Sequence, residues 1–221
     1  MRIIFVRHGE SEGNVQGKIS GREDYPLSIT GVRQAESLKK FFSKQMVAVT
    51  HLYSSPLTRA VQTAKILSGV WGIQIKTEPG LQEYDMGQLS GVDKASLKEK
   101  IPETSKFQKG SNHFDQPQNL LGIETSSEAR KRVHSTMGIF FYRHYDSDVI
   151  LCISHGGILQ RFVEEVLGTK RMWKIKIKNT AIFDFELQNT IQDVNNKEAS
   201  RDNIIINKIN LFNYDLHLLT N

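Results

Sequence analysis

Two histidines in this sequence each stand between a short apolar run and a glycine. Ile3–Val6 leads into Arg7-His8-Gly9, and Val149–Ile153 leads into Ser154-His155-Gly156-Gly157. Between them lie Arg59, shortly after the run His51-Leu52-Tyr53, and Glu83, shortly after Ile73–Thr77. Two arginines are permanently charged forks that match the oxygens of a phosphate. A neutral imidazole nitrogen is a nucleophile able to accept a phosphoryl group. The second histidine, and the N–H groups opening a helix at Gly156-Gly157, place donors where negative charge gathers in the transition state. A carboxyl group can protonate the departing alcohol and later activate water. The set points to phosphoryl transfer, with the arginines supplying the charge stabilisation and no metal or cofactor required. Glu78 and Asp85 lie close enough to Glu83 that either is an alternative acid.

For these residues to meet, their strands must end at one edge of one sheet. The continuous apolar runs Ile3–Val6 and Val149–Ile153 read as strands buried on both faces. His51–Tyr53 and Ile73–Thr77 read as two more, with further strands near Trp173–Ile177, Ala181–Leu187 and Ile204–Leu218. A helix from about Thr30 carries Val32, Ala35, Leu38, Phe41 and Phe42 on one stripe. Ser55-Pro56 reads as the start of a second helix, with Ser55 at its N-cap, running to Gly69. Thr125-Ser126-Ser127-Glu128 fits a capping box that opens a third, and Gly157 to about Leu167 forms a fourth. The expectation is a three-layer α/β/α sandwich, its mostly parallel open sheet bringing both histidines to the carboxyl edge. Residues 86–123 lose this periodicity and read as a cap insertion with at most one helix, near Ala95–Lys100; residues 188–203 read as a polar loop or hairpin. Residues 1–221 are expected to form a single catalytic domain.

The ordered series Arg7-His8-Gly9-Glu10-Ser11, Asn14, Ser20-Gly21, Pro26-Leu27-Ser28, Gly31 and Gln34-Ala35 resembles the histidine phosphatase superfamily, the phosphoglycerate mutase-like enzymes. The resemblance continues through Tyr53–Leu57, Arg59-Ala60, Gln62-Thr63-Ala64, Leu81, Glu83, Gly87, Gly122, Glu124 and Ser154–Gly157, in colinear order to about residue 185. It implies that His8 is the nucleophile that becomes phosphohistidine, that Arg7, Arg59 and His155 hold the phosphoryl group, and that Glu83 is the proton donor and acceptor. It also implies phosphate contacts by Asn14 and the Gly156 N–H, and substrate contacts by Ser20 and Gly21. Gly13 and Arg22 stand where mutases commonly carry tryptophan, and residues 96–123 lack the Arg/Tyr- and Pro-rich stretch of mutases. These departures favour a phosphomonoesterase acting on a small phosphorylated metabolite over a phosphoglycerate mutase, or over a non-catalytic phosphate- or nucleic-acid-binding module.

Composition agrees with that reading. The 221 residues carry 29 Lys+Arg against 24 Asp+Glu, a formal charge of +5, and a pI near 9.2. The basic run Lys170–Lys178 alternates with Ile175 and Ile177, as expected of a strand with one solvated face. No nucleic-acid-binding motif accompanies it, so neither nucleic acid nor membrane is an expected partner. The one cysteine, Cys152, lies inside an apolar strand and reads as an inert core residue. A single cysteine and short apolar runs point to a cytoplasmic protein. His51, His113, His134, His144 and His217 show no metal-ligand spacing, and no metal site is expected. The resemblance leaves the oligomeric state open, a homodimer included.

Overall fold

Ile3, Ile4, Phe5 and Val6 are all fully buried, which an uninterrupted apolar strand achieves only in a sheet covered on both faces. The computed structural model describes residues 1–96, 121–170, 175–189 and 204–214. Its six strands are β1 (Arg2–Arg7), β2 (His51–Ser54), β3 (Ile75–Thr77), β4 (Val149–Ser154), β5 (Ile182–Asn189) and β6 (Ile204–Tyr214). They form one open sheet in the order β3-β2-β4-β1-β5-β6. β3, β2, β4 and β1 pair in parallel, while β5 and β6 add antiparallel pairings at the other side. The helices are α1 (Glu12–Val15), α2 (Ile29–Gln45), α3 (Thr58–Ser68), α4 (Ser126–Arg143) and α5 (Gly156–Leu167).

Strand periodicity sorts the side chains to two faces. Ile4, Val6, Leu52, Leu151 and Ile153 pack with Leu38 and Phe42 of α2 and Ala60, Ala64 and Leu67 of α3. Ile3, Phe5, Ile150 and Cys152 pack with Val133, Met137 and Phe140 of α4 and Ile158, Phe162 and Val163 of α5. The result is the expected three-layer α/β/α sandwich. Ser28 and Thr125 cap α2 and α4 through their side chains, the latter in a full capping box with Glu128.

Three elements differ from the sequence expectation. The helix expected at Ser55-Pro56 begins at Thr58 with Leu57 at its N-cap; Ser55 Oγ accepts the Leu57 N–H as a cap would, but it also meets a histidine, and residues 55–57 stay outside the helix. Residues 175–177 of the strand expected at Trp173–Ile177 are irregular, although their in-out alternation survives, with Ile177 buried and Lys176 and Lys178 exposed. The Ile177 carbonyl is turned to an arginine side chain rather than to a neighbouring strand. The polar stretch after Gly9 contains the short helix α1, capped reciprocally by Ser11 and Asn14. Of the expected cap helix, Lys94–Ser96 forms a single 3-10 turn, and residues 97–100 lie outside the described residues, as do 97–120 of the insertion, 190–203 of the polar stretch and 215–218 of the last strand. No helix among the described residues is long and apolar enough to cross a membrane.

Candidate active site

β1 and β4 are hydrogen-bonded neighbours with Arg7 opposite Ser154, so His8 and His155, the next residue on each strand, emerge together. Their ring centroids lie 4.9 Å apart. His8 Nδ1 is 2.6 Å from the Gly9 carbonyl oxygen, which can only accept, so Nδ1 carries the proton and Nε2 keeps its lone pair. Burial, reinforced by the positive charges of Arg59 and Arg7, holds His8 well below the usual imidazole value. The ring is neutral and nucleophilic at ordinary pH.

His155 is fully buried and sits one layer back. Its Nδ1 accepts the Arg59 Nε–H at 3.2 Å, and its Nε2 faces Ser55 Oγ at 2.7 Å. Burial and the neighbouring Arg59 likewise push its value far down. Both nitrogens are engaged within the fold, and the ring braces the Arg59 guanidinium. Arg59 is fixed further by donating to the Glu23 and Gly21 carbonyls, each at 2.7 Å. Gly21 holds a left-handed φ of 48°, which aims its carbonyl at the guanidinium and is open to glycine at no steric cost. Arg7 donates Nη1–H to Ile177 O at 2.6 Å, while its buried Nε–H makes no hydrogen bond. Burial lowers both guanidinium groups from their ordinary value, with the Glu83 charge opposing the shift.

Glu83 anchors the other wall. Its Oε1 accepts the Tyr84 and Ile158 N–H groups and its Oε2 the Gly157 N–H, all at 2.9–3.0 Å. The carboxyl thus sits on the N-terminus of α5 and satisfies two of that helix's otherwise unpaired backbone donors, Gly157 and Ile158. A Cβ on Gly157 would lie 2.6 Å from Glu83 Oε1, so the close approach depends on glycine. Of the three candidate acids, Glu83 lines the cavity. Glu78 instead caps the 3-10 turn Pro79–Leu81, and Asp85 pairs with Arg22 and the Gly87 N–H.

The cavity holds about 400 Å³ and is lined by Arg7, His8, Asn14, Ser20, Gly21, Arg59, Glu83 and Gly157, with Lys18 and Lys94 at its side. Ser20 Oγ is buried there without a hydrogen-bond partner. The described start of the insertion closes this wall: the Ile19 N–H donates to Val92 O, the Gly91 N–H to Ile19 O and the Lys94 N–H to Gly17 O, and Lys18 Nζ pairs with Asp93 at 3.0 Å. Gly156, beside Arg7 Nε, begins α5 at the same spot.

A model of the histidine phosphatase superfamily (branch 1) matches residues 3–197 of the chain. The chain belongs to the histidine phosphatase superfamily. A Yersinia pestis relative named "Probable phosphoglycerate mutase GpmB" is 31% identical over 168 residues, covering 76% of this chain and 75% of that one. Among solved structures, a mycobacterial glucosyl-3-phosphoglycerate phosphatase superposes with a TM-score of 0.74 at 18% identity, covering 97% of this chain and 99% of that one. An Entamoeba histolytica phosphoserine phosphatase gives 0.69 at 22% identity, with 95% and 96% covered. These structural likenesses concern the fold.

This superfamily member builds its site with residues that carry no chemical signature of their own. Arg132 of α4 grips both Glu124 carboxylate oxygens at 2.8 Å and donates to the Gly80 and Gln82 carbonyls, fixing the segment that ends in Glu83. Arg22 bridges Asp85 and Glu124 and donates to the Glu83 carbonyl. Asn179 donates to His8 O and Asn14 Oδ1, and the Thr180 N–H reaches Arg7 O. Arg132 and Asn179 act on backbone carbonyls, and a sequence offers no spacing rule for such contacts.

Proposed function

We propose that this protein is a phosphomonoesterase that transfers the phosphoryl group of a small phosphorylated metabolite to His8 and then to water, working as one metal-independent catalytic domain. The observation that carries this reading is the state of His8: its Nδ1–H is committed to Gly9, which leaves the lone pair on Nε2, and the ring lines a cavity shared with Arg7, Arg59 and Glu83. Nε2 attacks phosphorus as the ester P–O bond breaks, and a proton on Glu83 goes to the departing oxygen. Water then attacks the phosphohistidine, giving its proton to Glu83 as the P–N bond breaks and inorganic phosphate forms. The Arg7 Nε–H, Arg59, Asn14, Ser20 Oγ–H and the Gly156 N–H hold the phosphoryl oxygens, Gly21 shapes the substrate wall, and His155 aims Arg59. Lys18 and Lys94 suit a second anionic group on the substrate. That fits the phosphoserine and phosphoglycerate derivatives named for two neighbours.

The test is a rapid quench with a radiolabelled phosphomonoester in the presence of chelator. The expected result is an acid-labile, base-stable label on the protein and steady release of phosphate, both lost in His8→Ala. Full turnover by that variant overturns the mechanism. The mutase-named relative supports a second reading, in which the phosphoenzyme returns its group to a bound intermediate. Sustained conversion of 3-phosphoglycerate to 2-phosphoglycerate with a bisphosphate primer, and little phosphate release, would establish it in place of the first.

A further inference from the structure

The edge of the sheet opposite the phosphate cavity gathers three residues that the reaction leaves unused. His51 opens β2, Asp148 immediately precedes β4, and His144 is the residue after α4. β2 and β4 run in parallel with His51 beside Ile150, so the first two arrive side by side. One ligand atom from each of the three lies within 4.8 Å of the others. We propose that His51, His144 and Asp148 form a binding site for a first-row divalent cation of the Zn²⁺ type, with water completing a four-coordinate shell.

His144 is the central observation. Its side chain is 3% exposed, its Nδ1 is buried without a hydrogen bond, and that atom points at Asp148 Oδ2, 3.4 Å away. Its other nitrogen, Nε2, is 3.0 Å from the Tyr53 hydroxyl, the arrangement that fixes tautomer and ring orientation in metal-ligating histidines. Where the Nε2 proton goes to Tyr53, Nδ1 and the carboxylate present lone pairs to each other and a cation between them relieves the pairing; where Tyr53 donates to Nε2, the cation displaces the proton that Nδ1 turns toward Asp148. Two donors on a tetrahedral zinc ion sit about 3.4 Å apart, given bond lengths near 2.0–2.2 Å, and the His144–Asp148 separation already has that value.

His51 Nδ1 lies 3.9 Å from Asp148 Oδ1, a gap that a small rotation of an exposed-side ring closes. The Thr50 hydroxyl, 2.9 Å from that nitrogen, also reaches Val149 O at 3.1 Å and can turn to it. Asp148 is held in place by the Tyr145 N–H at 2.9 Å. Two imidazoles and a carboxylate are a donor set suited to zinc. Nearby positive charge comes from Lys76, which lies over the Tyr53 ring, and from Arg143, which meets the Tyr53 hydroxyl. A bound ion would tie the end of α4 to the starts of β2 and β4. The six residues of β4 separate it from the phosphate cavity by about 20 Å, so its effect falls on stability and not on turnover.

The test is titration of the untagged full-length protein with Zn²⁺ by calorimetry and with Co²⁺ by visible absorption. Wild-type protein is expected to take up one equivalent at this site and to melt at a higher temperature with Zn²⁺, reversed by chelator, while kcat for a phosphomonoester stays the same. His51→Ala should abolish that uptake. Tyr53→Phe, which keeps the packing and removes only the hydroxyl, should weaken it by roughly 10- to 100-fold. His134→Ala, at a separate His–Glu pair, should bind as wild type does. Absence of saturable Zn²⁺ uptake overturns the proposal and leaves a plain His144–Asp148 ion pair; equal affinity in His51→Ala and wild type overturns it as well.

Discussion

In the proposed reaction Glu83 is two things, a support for the first turn of α5 and a mobile-proton carrier facing the cavity. Three backbone N–H groups converge on its two oxygens, yet Oε2 accepts only one of them and has a lone pair left for a proton. Glu83→Gln keeps the shape but removes the transferable proton. It should lower kcat on alkyl phosphates by about 10²–10⁴, and much less on p-nitrophenyl phosphate, whose leaving group departs without protonation. Equal losses on the two substrates, measured by steady-state phosphate release, would show that the carboxyl serves only to hold the helix. His8 and His155 stand out in the sequence because each directly follows a continuous apolar run that reads as a buried strand, whereas Glu83 is separated from Glu78 and Asp85 only by the family resemblance, its preceding strand being short and largely exposed. The His51–His144 pairing is not legible in the sequence, because its members lie on different elements and meet only when the end of α4 packs beside the start of β2.

The positions of these residues depend on how α4 is tied to the segment before Glu83. Arg132 makes that tie with four hydrogen bonds of 2.8 Å, two to Glu124 and two to backbone carbonyls. Arg132→Met keeps the aliphatic stem and removes every donor, leaving a nearly buried Glu124 carboxylate with fewer partners. The expected cost is about 2–3 kcal/mol, read from the urea midpoint. Since Glu83 loses its backing, kcat should fall more than KM rises; a pure stability loss with unchanged kcat would mean that the segment is rigid without Arg132. Element types were readable from periodicity, but α3 starts later than Ser55-Pro56 suggested. Ser55 has the chemistry of a helix cap, but its hydroxyl also faces His155. Likewise Lys176 and Ile177 had the alternation of a strand, but the Ile177 carbonyl serves Arg7. In both cases the site overrode a local preference.

At the scale of the whole molecule, the buried His8 and His155 make stability depend on pH. Both values are pushed well below 6.5 in the folded protein, whereas the unfolded chain titrates near the ordinary imidazole value. Below about pH 6.5 the unfolded state binds protons that the folded state refuses, so stability is complete above that pH and is lost as the pH falls. Each ring contributes a slope of up to about 1.4 kcal/mol per pH unit. Denaturant unfolding from about pH 8 to about pH 5 should show this decline, and His8→Gln should reduce its steepness; an unchanged slope would mean that His8 ionises in the fold. The position of β1 has a consequence of another kind. Ile3 pairs with Ile150 on one side and Phe185 on the other, so the strand that delivers His8 is made well before either of the strands that flank it. Such long-range parallel pairing is slow to form, because loop closure precedes any gain in contacts. Until β4 emerges, an apolar β1 has no sheet to enter and is open to association with other unfinished chains. The cavity therefore assembles abruptly, when β4 and β5 close around a strand made well before them.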